Sequence, residues 1–175
     1  MEEDKKINID GKHNKYLIRK ACNIKQQERK IKEYNEELID YDLQCKNINM
    51  LYLEQDISNS EIQKYIVTEI NKKISGYKQQ DIKKEKLNIK KFVTIDDILE
   101  KIVICKLKCF YCDSNMLIVF NDYKYEKQWT LDRINNDSGH NRDNILISCL
   151  ECNLKRGNMK KDLFEFTKKM KIVKI

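Results

Sequence analysis

Proline is absent from the 175 residues, which excludes proline-rich linkers. Arginine is scarce, supplying five of the 35 basic side chains; the other 30 are lysines. Lys, Asn and Ile all have AT-rich codons, so part of this bias is genomic in origin. Missing too is any apolar run near the ~20 residues that a helical bilayer crossing needs. The opening residues, MEEDKK, lack the pattern of a secretion signal. With no such signal, seven cysteines predict a reducing compartment and metal binding in place of a disulfide framework.

What is present is a mixed, lysine-rich chain. Apolar residues make up 41%, enough for a modest core in one or two domains. The formal charge is +7 and is unevenly spread. Residues 1–104 hold 21 basic and 19 acidic side chains, and residues 105–175 hold 14 and 9. The C-terminal part is therefore the expected polyanion-binding end. Four thiolates around a Zn²⁺ ion would lower its charge by about 2.

The N-terminal half reads as helical. Leu17, Ala21, Ile24, Ile31 and Leu38 recur at three-, four- or seven-residue steps, the spacing of one helix face. A second helix is expected from Ser58, where Ser58 to Glu61 has capping-box spacing, to Gly76 as its stop. Residues 77–91 are crowded with Lys, Gln, Asp and Glu and read as a linker or solvated helix, where a domain boundary is expected. Thr94-Ile-Asp-Asp97 opens another capped helix through about Ile104. Met116 to Phe120 suits a strand, with Tyr125 to Ile134 as its hairpin partner. A polar loop, 135–144, follows. The segment 162–171 closes the chain as a short amphipathic helix.

The sharpest motif is Cys109-Phe-Tyr-Cys112 followed by Cys149-Leu-Glu-Cys152. Each Cys-x-x-Cys turn can grip one edge of a tetrahedron. Four soft thiolates suit Zn²⁺ and leave no open coordination position, so the ion is expected to be structural. Cys105, Cys22 and Cys45 are expected to be ordinary buried thiols.

The stretch from Trp129 to His140, with Asn144 to Arg156, resembles the zinc-containing HNH (His-Me finger) domain, over about residues 94–160. The order matches: zinc knuckle, hairpin, glycine-containing loop, Asn, then a second knuckle opening a helix. The resemblance implies an α+β fold, with a helical N-terminal half and charged linker (1–90) followed by a zinc-stabilised ββα domain and C-terminal helix (91–175). It also implies nuclease roles. Asp132 and Asn153 fall on the positions that hold Mg²⁺ or Mn²⁺, and Asn144 on the one that fixes the loop. Arg133 stands where the general-base His belongs. A guanidinium cannot accept a proton near neutral pH, so the standard mechanism lacks its base unless His140 replaces it. Arg133 can instead clamp a phosphate.

Over the whole chain, the composition, the helical half and the paired knuckles resemble the viral late transcription factor two family of large cytoplasmic DNA viruses, African swine fever virus among them. That resemblance implies a zinc-binding transcription regulator in the host cytoplasm, with DNA or the viral transcription machinery as partner. Lys124, Lys127, Arg133, Arg142, Lys155, Arg156, Lys160 and Lys161 are the expected nucleic-acid contacts. Two alternatives are an HNH-type nuclease using Asp132, His140 and Asn153, and an interaction protein whose helical half docks on a viral or host protein. A phosphate-bearing signalling nucleotide is a further partner that the basic surface could take.

Overall fold

Asp40 begins the first long helix of the described residues by accepting a hydrogen bond from the Leu43 amide at 2.7 Å, which satisfies one of the helix's orphan donors. The computed structural model describes residues 33–54, 60–122 and 124–170, together with Ile18. Residues 32–175 form one compact unit and residues 1–31 another; the account below concerns the larger. The expected stripe of Leu17, Ala21, Ile24 and Ile31, and Cys22, lie outside the described residues.

A 3₁₀ turn over Glu36–Ile39 leads into α1, Tyr41–Tyr52. Helix α2 spans Glu61–Lys83, α3 spans Ile95–Ile104, α4 spans Leu150–Arg156 and α5 spans Lys161–Lys169. Strands β1 (Trp129–Arg133) and β2 (Ile145–Cys149) pair antiparallel, with Trp129 opposite Cys149 and Arg133 opposite Ile145. The fold is α+β: among the described residues, five α-helices accompany a two-stranded sheet. Ile48, Ile62, Ile66, Ile70, Ile98 and Ile102 bring the apolar faces of α1, α2 and α3 into one core with Trp129 and Leu131. No described helix is long and apolar enough to cross a membrane.

Helix α3 forms as its sequence predicts. Thr94 and Asp97 exchange side-chain and backbone hydrogen bonds in a complete capping box. Helix α2 differs from expectation at both ends. It starts at Ser60, with no side-chain cap, and runs through Gly76 to Lys83. Gly in a helix interior costs only ~1 kcal/mol, and the turns beyond it make tertiary bonds that offset this. Tyr77 accepts the Leu131 amide on its hydroxyl at 3.0 Å, and Asp81 is fully buried against His140. Residues 77–83, expected as a linker or solvated helix, are thus the C-terminal turns of α2, anchored through Tyr77 and the buried Asp81.

The expected hairpin of 116–120 with 125–134 does not form either. Gln44, buried on α1, accepts from the amides of Ile118 and Val119 and donates to the Val119 carbonyl at 2.9 Å. One side-chain amide therefore does for this segment what a neighbouring strand would do. Leu117 exchanges backbone bonds with Lys127 and Trp129. β1 pairs instead with β2, across the loop 134–144.

That loop is held from two sides. Asn144 donates to the carbonyls of Asn135 and Gly139, each at 2.9 Å, and accepts from the Asn135 amide. Gly139 passes so close to the end of α2 that a Cβ there would lie 2.5 Å from the Lys86 carbonyl oxygen and 2.7 Å from Asp81 Oδ2. Only glycine fits.

Candidate metal centre

The first knuckle follows directly from the end of α3. Lys106 and Leu107 adopt left-handed backbone angles, with φ of 51° and 52°, turning the chain so that Leu107 is buried and Cys109 faces the sheet. The Cys109 carbonyl accepts from the Asp113 amide at 2.9 Å, and Asp113 is itself left-handed at φ 55°. This is a tight turn that puts Cys109 and Cys112 on one side. The Phe110 amide donates to the Ile147 carbonyl at 3.0 Å, docking the knuckle on β2.

The second knuckle sits where β2 becomes α4. Cys149 ends the strand and caps the helix, its sulfur accepting from the Cys152 amide at 3.4 Å. The Cys149 amide in turn donates to Cys109 Sγ at 3.3 Å. Four Sγ atoms, from Cys109, Cys112, Cys149 and Cys152, lie within 4.8 Å of one another, and Cys112 and Cys149 are 3.8 Å apart. A tetrahedron with Zn–S bonds of ~2.3 Å has edges of about 3.8 Å. Donor type, number and spacing therefore fit a zinc ion, which would be held entirely by protein sulfur. Cys109, Cys149 and Cys152 are buried and Cys112 is the partly exposed member.

Four thiols this close cannot all ionise without a cation among them. The Cys149 thiol, aided by backbone amides, holds Cys109 as thiolate, well below the ordinary thiol range at about 4. Hydrogen bonding to Cys109 and burial push Cys149 far up, and burial pushes Cys152 to about 12. A divalent ion removes this competition by stabilising every thiolate at once. Cys105 is not in the cluster. Its sulfur lies 3.5 Å from the Ile102 carbonyl; Cys105 and Cys45 are half-buried, short of the burial expected, and that partial burial raises both thiols.

Beside the knuckles, the residues expected to form a hydrolytic pocket are engaged elsewhere. Asp132 is 4% exposed. Its Oδ1 meets Arg156 Nη1 at 2.5 Å, and its Oδ2 accepts from the Tyr111 hydroxyl at 2.7 Å. Burial pushes the Asp132 carboxyl up, while Tyr111 and Arg156 counter it. Asn153 donates to Thr130 Oγ1 and to the Leu131 carbonyl, pinning α4 on β1. His140 is buried on the far side of the loop, its Nδ1 2.8 Å from Asp81 Oδ1 and its ring 4.4 Å from that of Tyr77. Asp132 and His140 thus answer to different partners, and no bond joins them.

The expected nucleic-acid contacts divide into four groups. Arg156 is 3% exposed and donates to Asp132 and to the carbonyls of Arg133 and Ile134; it is an interior cation, not a surface contact. Arg133 is half-buried and turns its guanidinium onto the carbonyls of Asn136 and Ser138 at 3.3 Å. Lys127 and Lys155 share Glu151 at 2.6 and 2.5 Å, and Lys161 meets Glu165 at 3.0 Å. Lys124, Arg142 and Lys160 are exposed.

Two residues important to this arrangement escape the sequence. Tyr111 lies in plain view between two ligand cysteines, but nothing local says that its hydroxyl binds Asp132. Asp81 lies in a run of polar residues, 59 positions before His140.

Burial keeps the His140 imidazole neutral, lowering its affinity for a proton despite the opposing pull of Asp81. As pH falls below the ordinary histidine value of ~6.5, the unfolded chain takes up a proton that the folded state refuses. Stability present above that pH should therefore be lost progressively below it, with a slope up to ~1.4 kcal/mol per pH unit for the one group. Urea midpoints at pH 7.5, 6.5 and 5.5 should show the fall, and the slope should flatten in His140→Gln. An equal slope in both proteins would assign the effect to other groups.

Comparison with known proteins finds no family model, no curated protein and no solved structure that matches the chain.

Proposed function

We propose that the chain is a zinc-braced module that binds nucleic acid without cleaving it, in the transcription-regulatory role that the resemblance to late transcription factors implies. One observation carries the reading: each side chain that an HNH-type hydrolytic site would use is committed to an internal bond. Asp132 is neutralised by Arg156 and bonded by Tyr111, and Asn153 is bonded to β1. His140 is buried on Asp81, and Arg133 is no base. A metal bridging Asp132 and Asn153 would have to displace a buried guanidinium and strip α4 of its anchor. The antiparallel pair β1–β2 running straight into α4 is read here as the ββα scaffold, kept for the surface it presents.

Exposed cations lie around this scaffold. Arg142 lies on the loop, Lys124 precedes β1 and Lys160 follows α4, all exposed. Lys127 and Lys155 ride on the second knuckle's helix through Glu151. Zinc supplies the rigidity: it would fix β2, α4 and the first knuckle relative to one another, and with them the spacing of these cations.

Fluorescence anisotropy with labelled duplex and single-stranded DNA tests the reading. Affinity should fall as salt rises from 50 to 300 mM, with a log–log slope of about −0.9 per phosphate neutralised on duplex. Lys124→Glu with Arg142→Glu should weaken binding and flatten that slope. Binding that ignores salt, or nicking of plasmid DNA with Mg²⁺ or Mn²⁺ that Asp132→Asn abolishes, would refute it.

A further inference from the structure

Helix α5 has two apolar faces, and the fold uses one of them. Phe164 is buried, its ring 4.8 Å from that of Tyr111 and nearly perpendicular to it. Lys161, Glu165 and Lys168 share this side and are half-buried. Leu163, Phe166 and Met170 lie elsewhere on the helix and are 55%, 64% and 50% exposed. Spacings of three and four residues align them in one stripe. At 3.6 residues per turn the stripe is about 60° wide and centred about 130° from Phe164. Met159, also exposed, continues the spacing into the turn before the helix. Single exposed apolar residues are ordinary, whereas large ones aligned on one face mark a surface that another molecule covers.

The polar residues beside the stripe indicate which molecule. In heptad terms Leu163 and Met170 take position a and Phe166 takes position d. Asp162 and Lys169, seven residues apart, then share position g. One edge of the stripe therefore carries an acid near the start of the helix and a base near its end. The other edge holds Thr167, which has no charge. Laid antiparallel on itself about a twofold axis, the stripe meets its own copy, and the two g edges run side by side. Asp162 comes level with Lys169 of the second copy, and Lys169 with Asp162 of the second copy. A parallel pair would set each g edge against the uncharged edge instead. Both side chains have room to turn. Asp162 is 91% and Lys169 63% exposed, and their ion-pair partners, Lys161 and Glu165, are on the same helix. An anionic membrane suits this face less well, because the Asp162 carboxylate beside the stripe would be pressed against anionic head groups.

We propose that α5 is a self-association surface, on which a second copy of this chain docks antiparallel through Leu163, Phe166 and Met170, with an Asp162–Lys169 pair at each end. The dimer does not depend on nucleic-acid binding. So few side chains from each copy bury less than the ~1,200 Å² of a standard interface. Association is accordingly concentration-dependent, half complete at roughly 10–500 µM.

Sedimentation velocity of the full zinc-loaded chain, from about 5 µM to 1 mM, tests this. The mass should rise from one chain toward two. Phe166→Glu, at a side chain the core does not use, should remain monomeric throughout. Asp162→Lys should weaken association about tenfold, since both end pairs become two cations, and Lys169→Asp should do the same with two anions. Mixing these two charge variants in equal amounts should restore association, because each cross pair regains opposite signs. Zinc content and far-UV circular dichroism identify the folded variants; should a charge variant unfold, Phe166→Glu decides alone. A chain still monomeric at 1 mM, or Phe166→Glu dimerising as the wild type does, overturns the proposal. So does a mixture no more associated than its separate components, or a monomeric chain that binds phosphatidylserine vesicles and loses them in Phe166→Glu.

Discussion

Stripping the metal from the zinc-loaded protein with a strong chelator should abolish its cooperative thermal transition near physiological temperature. The sheet that the knuckles join has only two strands of five residues each, and a lone pair of strands is marginal in water. The first knuckle reaches that sheet through the bonds of Phe110 with Ile147 and of Cys149 with Cys109. Without a cation, the cluster traps buried sulfurs that compete for protons. Structural zinc binding in comparable four-ligand sites amounts to ~10–16 kcal/mol at pH 7, more than the whole stability of many domains. Circular dichroism melts with and without chelator, alongside a metal count of one zinc per chain, check this. Cys149→Ser should behave like the chelated protein. Cys105→Ser, outside the cluster, should keep full zinc and lose ~1 kcal/mol or less. A melt indifferent to chelation would show that the sulfurs do not hold an ion the fold depends on.

Replacing Arg156 by methionine should cost ~3–5 kcal/mol, the usual effect of removing one partner from a buried ion pair. The loss leaves the Asp132 carboxylate with Tyr111 as its one side-chain donor among the described residues, and frees the carbonyls of Arg133 and Ile134. The companion change Asp132→Leu in the same chain should restore much of the stability, because two matched apolar side chains need no compensation. Lys155→Met, one residue earlier and on the solvent face, should leave the urea midpoint unmoved. If Arg156→Met unfolds at the wild-type urea concentration, Arg156 is solvated, and the reading of a closed hydrolytic pocket falls.

These two outcomes separate what could be read along the chain from what could not. The four clustered cysteines were legible because their chemistry is local: two residues between cysteines set each pair's geometry, and only the meeting of the two knuckles is long-range. The cap of α3 was legible for the same reason, since Thr94 and Asp97 are three residues apart. Gly76 misled because the cost of one helical glycine is small beside the bonds that Tyr77 and Asp81 make further on. The segment 116–120 misled because its amides pair with a single glutamine, Gln44, some 74 residues earlier. No hydrophobic pattern records a side chain acting as a strand.

The same division runs through the candidate site. Sequence by itself determined the Cys₄ cluster, the capped helix that precedes it and the lysine-rich character of the C-terminal part. Tertiary structure alone decided the fate of the polar residues between the knuckles. Asp132, Arg156, Asn153 and His140 could have lined a reaction pocket, bound a phosphate or held the fold together, and their identities are compatible with each. Which role they take depends on partners 21 to 59 residues away, and on whether those partners exclude water. Burial and long-range pairing are properties of the packed chain, so the same letters that announced the metal site left the chemistry beside it open.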